Sequence, residues 1–125
     1  MTADHAERVD AATAEMTASI DSHTIGKSIA RARALSVTAP SRHELLEIEE
    51  LLREHIASLL LAVQATADKR WGVGIERSRR MRRLKGIRTQ SERGLGPGRL
   101  SAHVQINQLA RDCQWLLSLH TGDAP

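Results

Sequence analysis

The stretch Ser41-Arg-His-Glu-Leu-Leu-Glu-Ile-Glu-Glu-Leu-Leu-Arg-Glu-His-Ile-Ala-Ser-Leu-Leu-Leu-Ala-Val63 decides the architecture. At 100° per residue its Leu45, Ile48, Leu52, Ile56, Leu59 and Val63 fall within an arc of about 80°, and Glu47, Glu50 and Glu54 fall on the opposite side. That pattern predicts a long helix over about residues 42–69, with an apolar seam and an acidic back. Ser41 and Glu44 form an S-x-x-E capping box at its start. Glu49 and Arg53 are a favourable i,i+4 pair. Leu46 and Leu61 lie off the seam and require a second contact, with the first helix or with another chain.

Outward from this helix the pattern stays helical. Upstream, Ile25, Ile29, Ala32 and Leu35 are spaced by four and three, which predicts a short amphipathic helix around Ile20 to Ser36 that stops before Pro40. Residues 1–19 offer only Val9 and Met16 for burial and are expected to be a flexible lead-in. Downstream, Trp71-Gly-Val-Gly74 predicts a turn. A third helix is expected from Ile75 to about Arg93, with a thin apolar face of Val73, Met81, Leu84 and Ile87. Gly94-Leu-Gly-Pro-Gly98 ends it. Ser101 is a fair N-cap for a fourth helix to about His120, whose seam is Ala102, Ile106, Leu109, Cys113, Leu116, Leu117 and His120. Residues 121–125 read as a tail. The expected fold is all-α: one domain over residues 20–120, a small antiparallel bundle of three main helices plus a shorter N-terminal helix. The two long seams are expected to bury against each other, with the basic third helix laid across them.

Composition agrees. The 125 residues suit one domain. Leu, Ile and Val number 28, Phe and Tyr are absent and Trp occurs twice, a balance that favours helix over sheet. The aromatic shortage also removes base stacking as a means of holding single strands. The longest apolar run, Leu59 to Val63, is far too short to span a bilayer. Met1 to Asp10 lacks a secretion pattern, and the lone Cys113 has no intramolecular disulfide partner, so a reduced, cytoplasmic setting is expected. The net charge of +3 hides a polarity. Residues 69–99 hold 11 basic and 2 acidic residues, a net of +9, while the rest hold 7 and 13, a net of −6.

Three groups of residues invite a functional interpretation. Arg77, Arg79, Arg80, Arg82, Arg83 and Lys85 place six cations in nine residues. They suit a phosphate backbone or a major groove. They also suit a solvated face, or one docked on the carboxylates of Glu47, Glu50 and Glu54, and that reading is the expected one. No helix-turn-helix supports the DNA reading, since Gln114 stands where a turn Gly is wanted after Gln108-Leu-Ala110. Val104, Arg111 and Trp115 form a second stripe on the last helix, and Trp71 lies near the turn. Trp and Arg dominate binding hot spots, so these are the candidate partner contacts unless the first helix covers them. The loop Gly94 to Gly98 with Arg99 could present amides and a cation to phosphate, although a C-cap and turn explain its glycines. Cys113 on the seam reads as a buried structural thiol. His55, His103 and His120 show no metal-ligand spacing, and the Glu-rich helix lacks E-x-x-H, so no metal, cofactor or catalytic residue is expected.

The runs Leu51-Leu-Arg-Glu-His-Ile-Ala-Ser-Leu-Leu60 and Leu100-Ser-Ala-His-Val-Gln-Ile-Asn-Gln-Leu-Ala-Arg-Asp-Cys-Gln-Trp-Leu-Leu117 resemble a family of small streptomycete proteins. That family is associated with natural-product biosynthesis and is a domain of unknown function. The resemblance runs from about Ile25 to His120. It implies a bacterial cytoplasmic setting and an accessory role beside biosynthetic genes, and it brings no catalytic residues. The expectation is therefore a non-enzymatic interaction protein, with a protein partner or a homodimer. The alternatives are a DNA-binding regulator using residues 77–85, and an enzyme or small-molecule binder with its site between helices.

Overall fold

The computed structural model describes residues 20–35 and 37–122. The expected flexible lead-in with Val9 and Met16, Ser36 and the end of the tail lie outside the described residues. Four helices follow in order: α1 (Ser22–Leu35), α2 (Arg42–Arg70), α3 (Ile75–Ser91) and α4 (Arg99–Thr121), and no strand occurs among the described residues. The all-α bundle predicted from periodicity is the observed fold.

Local chemistry sets the helix ends. The Asp21 carboxylate accepts from the amides of His23 and Thr24 at 3.0 and 3.2 Å and from the Thr24 hydroxyl at 2.6 Å, so it caps α1. Those bonds favour its charged form and hold its pKa below the usual carboxylate range. Ser41 Oγ accepts from the Glu44 amide at 3.2 Å, the forward half of the expected box. After α2 the chain reverses through Gly72 (φ +63°) and Gly74 (φ +112°), conformations that strain any residue with a Cβ. The start of α4 differs from expectation. Gly98 is the N-cap and Ser101 lies inside the helix, because the chain is already helical from Arg99.

Side-chain bonds reveal the directions of the helices. Arg31 of α1 reaches Glu47 and Ser28 of α1 meets His55, so α1 and α2 run antiparallel. Arg42, at the start of α2, donates to the carbonyls of Gly96 and Leu95 just before α4, at 2.7 and 3.4 Å. Arg70, at the end of α2, donates to Leu119 O near the end of α4, at 2.8 Å. The two long helices therefore run parallel, while consecutive helices are antiparallel. The pair α2–α4 has the most extensive contact, and α1 and α3 do not touch. The cross-section is a flattened rhombus. Its short diagonal is α2–α4, with α1 on one flank and α3 on the other.

This geometry explains the core. The predicted α2 seam, Leu45, Ile48, Leu52, Ile56, Leu59 and Val63, is buried throughout. Ile25, Ile29 and Ala32 of α1 are as deeply buried as that seam, so α1 is a full wall of the core and more than an added short helix. On α4 the observed buried set takes in Ala110, Asp112 and Leu119, whereas Leu117 and His120 are only partly covered. The α4 seam widens because α4 packs on three neighbours. On α3 only Leu84 and Ile87 are buried; Val73 is 93% exposed and Met81 38%, which corrects their assignment to its apolar face. α3 makes less contact with the two long helices than α1 does, so one narrow line of anchors holds it.

Candidate interaction surfaces

The core-facing line Leu84–Ile87 fixes how α3 distributes its cations. Arg80 and Arg83 flank that line and turn toward the tryptophans. The Arg80 guanidinium carbon stands 5.4 Å from the Trp71 ring centroid, and that of Arg83 stands 4.1 Å from the Trp115 centroid. Arg77 donates to Gly72 O at 3.3 Å. Arg80 also lies 3.7 Å from Glu76. Arg79, Arg82 and Lys85 point away from the bundle and are exposed. The six cations therefore do not form one face: three bind their own protein and three face solvent.

Arg83 also places Trp115. The sequence leaves open whether α1 covers this ring; a guanidinium from α3 does so instead. Removing it with Arg83→Ala should cost about 0.5–2 kcal/mol, the usual range for such a stack. It should also red-shift Trp115 emission in a Trp71→Phe background, with an unchanged Tm and spectrum as the contrary result.

Beside this stack lies an open groove between α3 and α4, of about 620 Å³, lined by Arg83, Gly86, Gln90, Val104, Gln108 and Asp112. Its floor holds Asp112, only 5% exposed. Burial raises the pKa of this carboxyl, while the amide donated by Gln108 at 3.0 Å and the charge of Arg83 work the other way. The sequence reading missed Asp112. The signal was its spacing of three from Leu109 and four from Leu116, which puts it at the seam's edge. Along the rim of α4, Leu100 is 78% exposed and Val104 59% exposed, and Arg111 is exposed on the same stripe. Trp71 and Trp115 are half-buried.

Among the described residues, Glu47, Glu50 and Glu54 form no ion pair with the cations at 77–85. Glu47 pairs with Arg31 of α1 at 3.2 Å and lies 3.3 Å from His43. Glu50 and Glu54 line a second groove, between α2 and α3, of about 540 Å³, together with Ala57, Leu61, Arg88 and Glu92. The expected pair Glu49–Arg53 is present at 3.3 Å, with Glu49 buried.

The other candidates are accounted for locally. The glycine loop spends its groups on its own protein: Gly96 N donates to Gln105 Oε1 at 2.6 Å, and Gln105 Nε2 donates to Gly94 O at 3.1 Å. The side chain of Arg99 lies outside the described ones. Cys113 is fully buried, and burial pushes its thiol up to about 12, so it stays protonated at neutral pH. No group of three His, Cys, Asp or Glu able to hold a metal occurs among the described residues. None of the described helices is long and apolar enough to cross a membrane.

His55 is a titratable group at the α1–α2 contact, its Nε2 3.0 Å from Ser28 Oγ. Burial lowers its pKa below the ordinary 6.5, against the raising influence of Glu54. The unfolded chain therefore takes up its proton first as pH falls. The neutral-state stability is full above 6.5 and is lost as pH drops toward the lowered native value. Wild-type Tm should fall between pH 7.5 and 5 by more than that of His55→Gln; equal falls would remove His55 as the cause.

An all-helical flattened bundle with an open groove on either side of one basic helix is what the fold and surfaces define. Residues 23–125 match the family of unknown function DUF6415, and the chain belongs to that family. No curated protein and no solved structure matches it.

Proposed function

We propose that this chain is a non-enzymatic helical interaction protein whose partner-binding face is the α4 stripe beside the α3–α4 groove. The observation that carries the reading is the pair Leu100 and Val104, strongly exposed on the same face as Arg111 and the Arg83–Trp115 stack. Trp and Arg are the residue types that dominate binding hot spots, and here they stand beside an exposed apolar strip. The partner is a protein, the setting is cytoplasmic, and the role is accessory to natural-product biosynthesis in an actinobacterial host. The sequence resemblance to small streptomycete proteins supports these last points. The test is quantitative affinity purification from the encoding host with the wild type and with Val104→Glu. A protein enriched by the wild type and lost with the variant is the expected result; equal recovery overturns the reading. Val104 is exposed, so the variant should fold normally.

One observation favours a second reading. Arg79, Arg82 and Lys85 face solvent on one side of α3, where they could follow a phosphate backbone. Three phosphate contacts predict about a 40-fold loss of duplex affinity between 50 and 200 mM salt, against roughly 2000-fold for all six cations. Fluorescence anisotropy with Arg79→Glu/Arg82→Glu as control measures it. Binding that these reversals abolish supports a regulator, and absence of binding at low salt removes that reading.

A further inference from the structure

We infer that the α2–α3 face is a two-fold interface that a second copy of this chain covers. This deepens the interaction reading above and rests on it, but uses a different surface.

The face is graded in charge along its length. Leu61 of α2, 53% exposed, stands at its middle with Ala57 beside it. Toward the N-terminus of α2 the face is acidic. Glu54 lies about 10 Å and Glu50 about 16 Å from Leu61 along the axis, at 1.5 Å per residue. Arg53, whose charge is offset by the buried Glu49 at 3.3 Å, and Glu92 line the same groove. Toward the other end it is basic. Arg88 donates to Gln64 Oε1 at 3.0 Å, which fixes α3 against α2 three residues beyond Leu61. Lys85 follows one turn further from the acidic end, because α3 runs antiparallel to α2. Met81, still partly exposed, lies beyond it. Glu50, Glu92 and Lys85 make no ion pair among the described residues.

Such a face is complementary to itself. A two-fold axis perpendicular to α2, passing near Leu61, sets the acidic end of one copy against the basic end of the other, twice. It also stacks the two Leu61 side chains at the centre, and the same patch serves both subunits. Leu61 then finds the second contact that neither the α2 seam nor α1 provides. A protein partner of uniform charge would meet like charge at one end. A nucleic acid would meet Glu50, Glu54 and Glu92. Charge complementarity therefore selects a second copy.

The experiment is sedimentation equilibrium of the full chain at about 5, 50 and 500 µM, since dimer population follows concentration. The wild type should be dimeric at the upper concentrations. Leu61→Glu and Glu50→Lys/Glu54→Lys should each be monomeric at all three, with unchanged helical spectra and Tm extrapolated to low concentration. The fourfold exchange Glu50→Lys/Glu54→Lys/Lys85→Glu/Arg88→Glu should dimerise again, because it reverses both ends of a self-complementary face. A monomeric wild type, a dimer indifferent to Leu61→Glu, or a fourfold exchange that stays monomeric would each overturn the inference. Val104→Glu should leave the dimer intact. Val104-dependent capture from a monomeric chain would sink the two-fold face alone, and a Leu61-dependent dimer without capture would sink the partner face alone.

Discussion

Leu52→Asp leaves no cooperatively folded protein at 25 °C. Leu52 is fully buried on α2, which, like α4, contacts all three other helices. The substitution removes a buried isobutyl group and puts a carboxylate where water does not reach. Each change is a recognised source of large destabilisation, and together they exceed about 4 kcal/mol. That is a large fraction of the stability of an ordinary domain. Loss of the far-ultraviolet helical signal and of the thermal transition is the expected outcome. A native-like spectrum with an unchanged Tm would refute the packing described above.

The second large effect concerns α1. If this helix merely covered the bundle, its loss would be mild. Ile29 is 2% exposed, however, and sits with Ile25 and Ala32 against α2 and α4. Ile29→Ala should cost about 2–5 kcal/mol. For about a hundred described residues, that lowers Tm by at least roughly 10 °C. Leu61→Ala, at an exposed position, should change stability by less than about 0.5 kcal/mol at concentrations where the chain is monomeric. Chemical denaturation of the two variants side by side checks the contrast, and comparable losses would mean that α1 is no wall of the core.

What the sequence made legible was what periodicity can carry. Every residue of the expected α2 seam is buried, since a helix that buries one stripe must repeat its apolar residues every three or four positions, whereas the buried Leu60, Ala62 and Ala67 lay outside it. Helix ends followed where a specific side chain makes the cap, as at Ser41, and shifted where a backbone glycine makes it, as at Gly98. Periodicity states which way a residue points, but not which helix stands opposite. The parallel course of α2 and α4 rests on Arg42 and Arg70, whose carbonyl partners lie about fifty residues away. The division of the α3 cations is of the same kind. Arg83 and Lys85 are alike in a composition count, and only the position of Trp115 separates them. Asp112 was overlooked because a carboxylate at a seam edge is ordinarily solvated.

The rhombic section also ranks the helices by how freely they can open. α1, α2 and α4 share one closed set of contacts, and opening any of them exposes the centre. α3 is fastened by Leu84, Ile87 and two guanidinium–indole stacks. Its amides can therefore exchange with solvent through a partial opening that leaves the other three helices standing. A second copy seated across α2 and α3 would close that route. The protection of one helix would then report how many molecules share the solution.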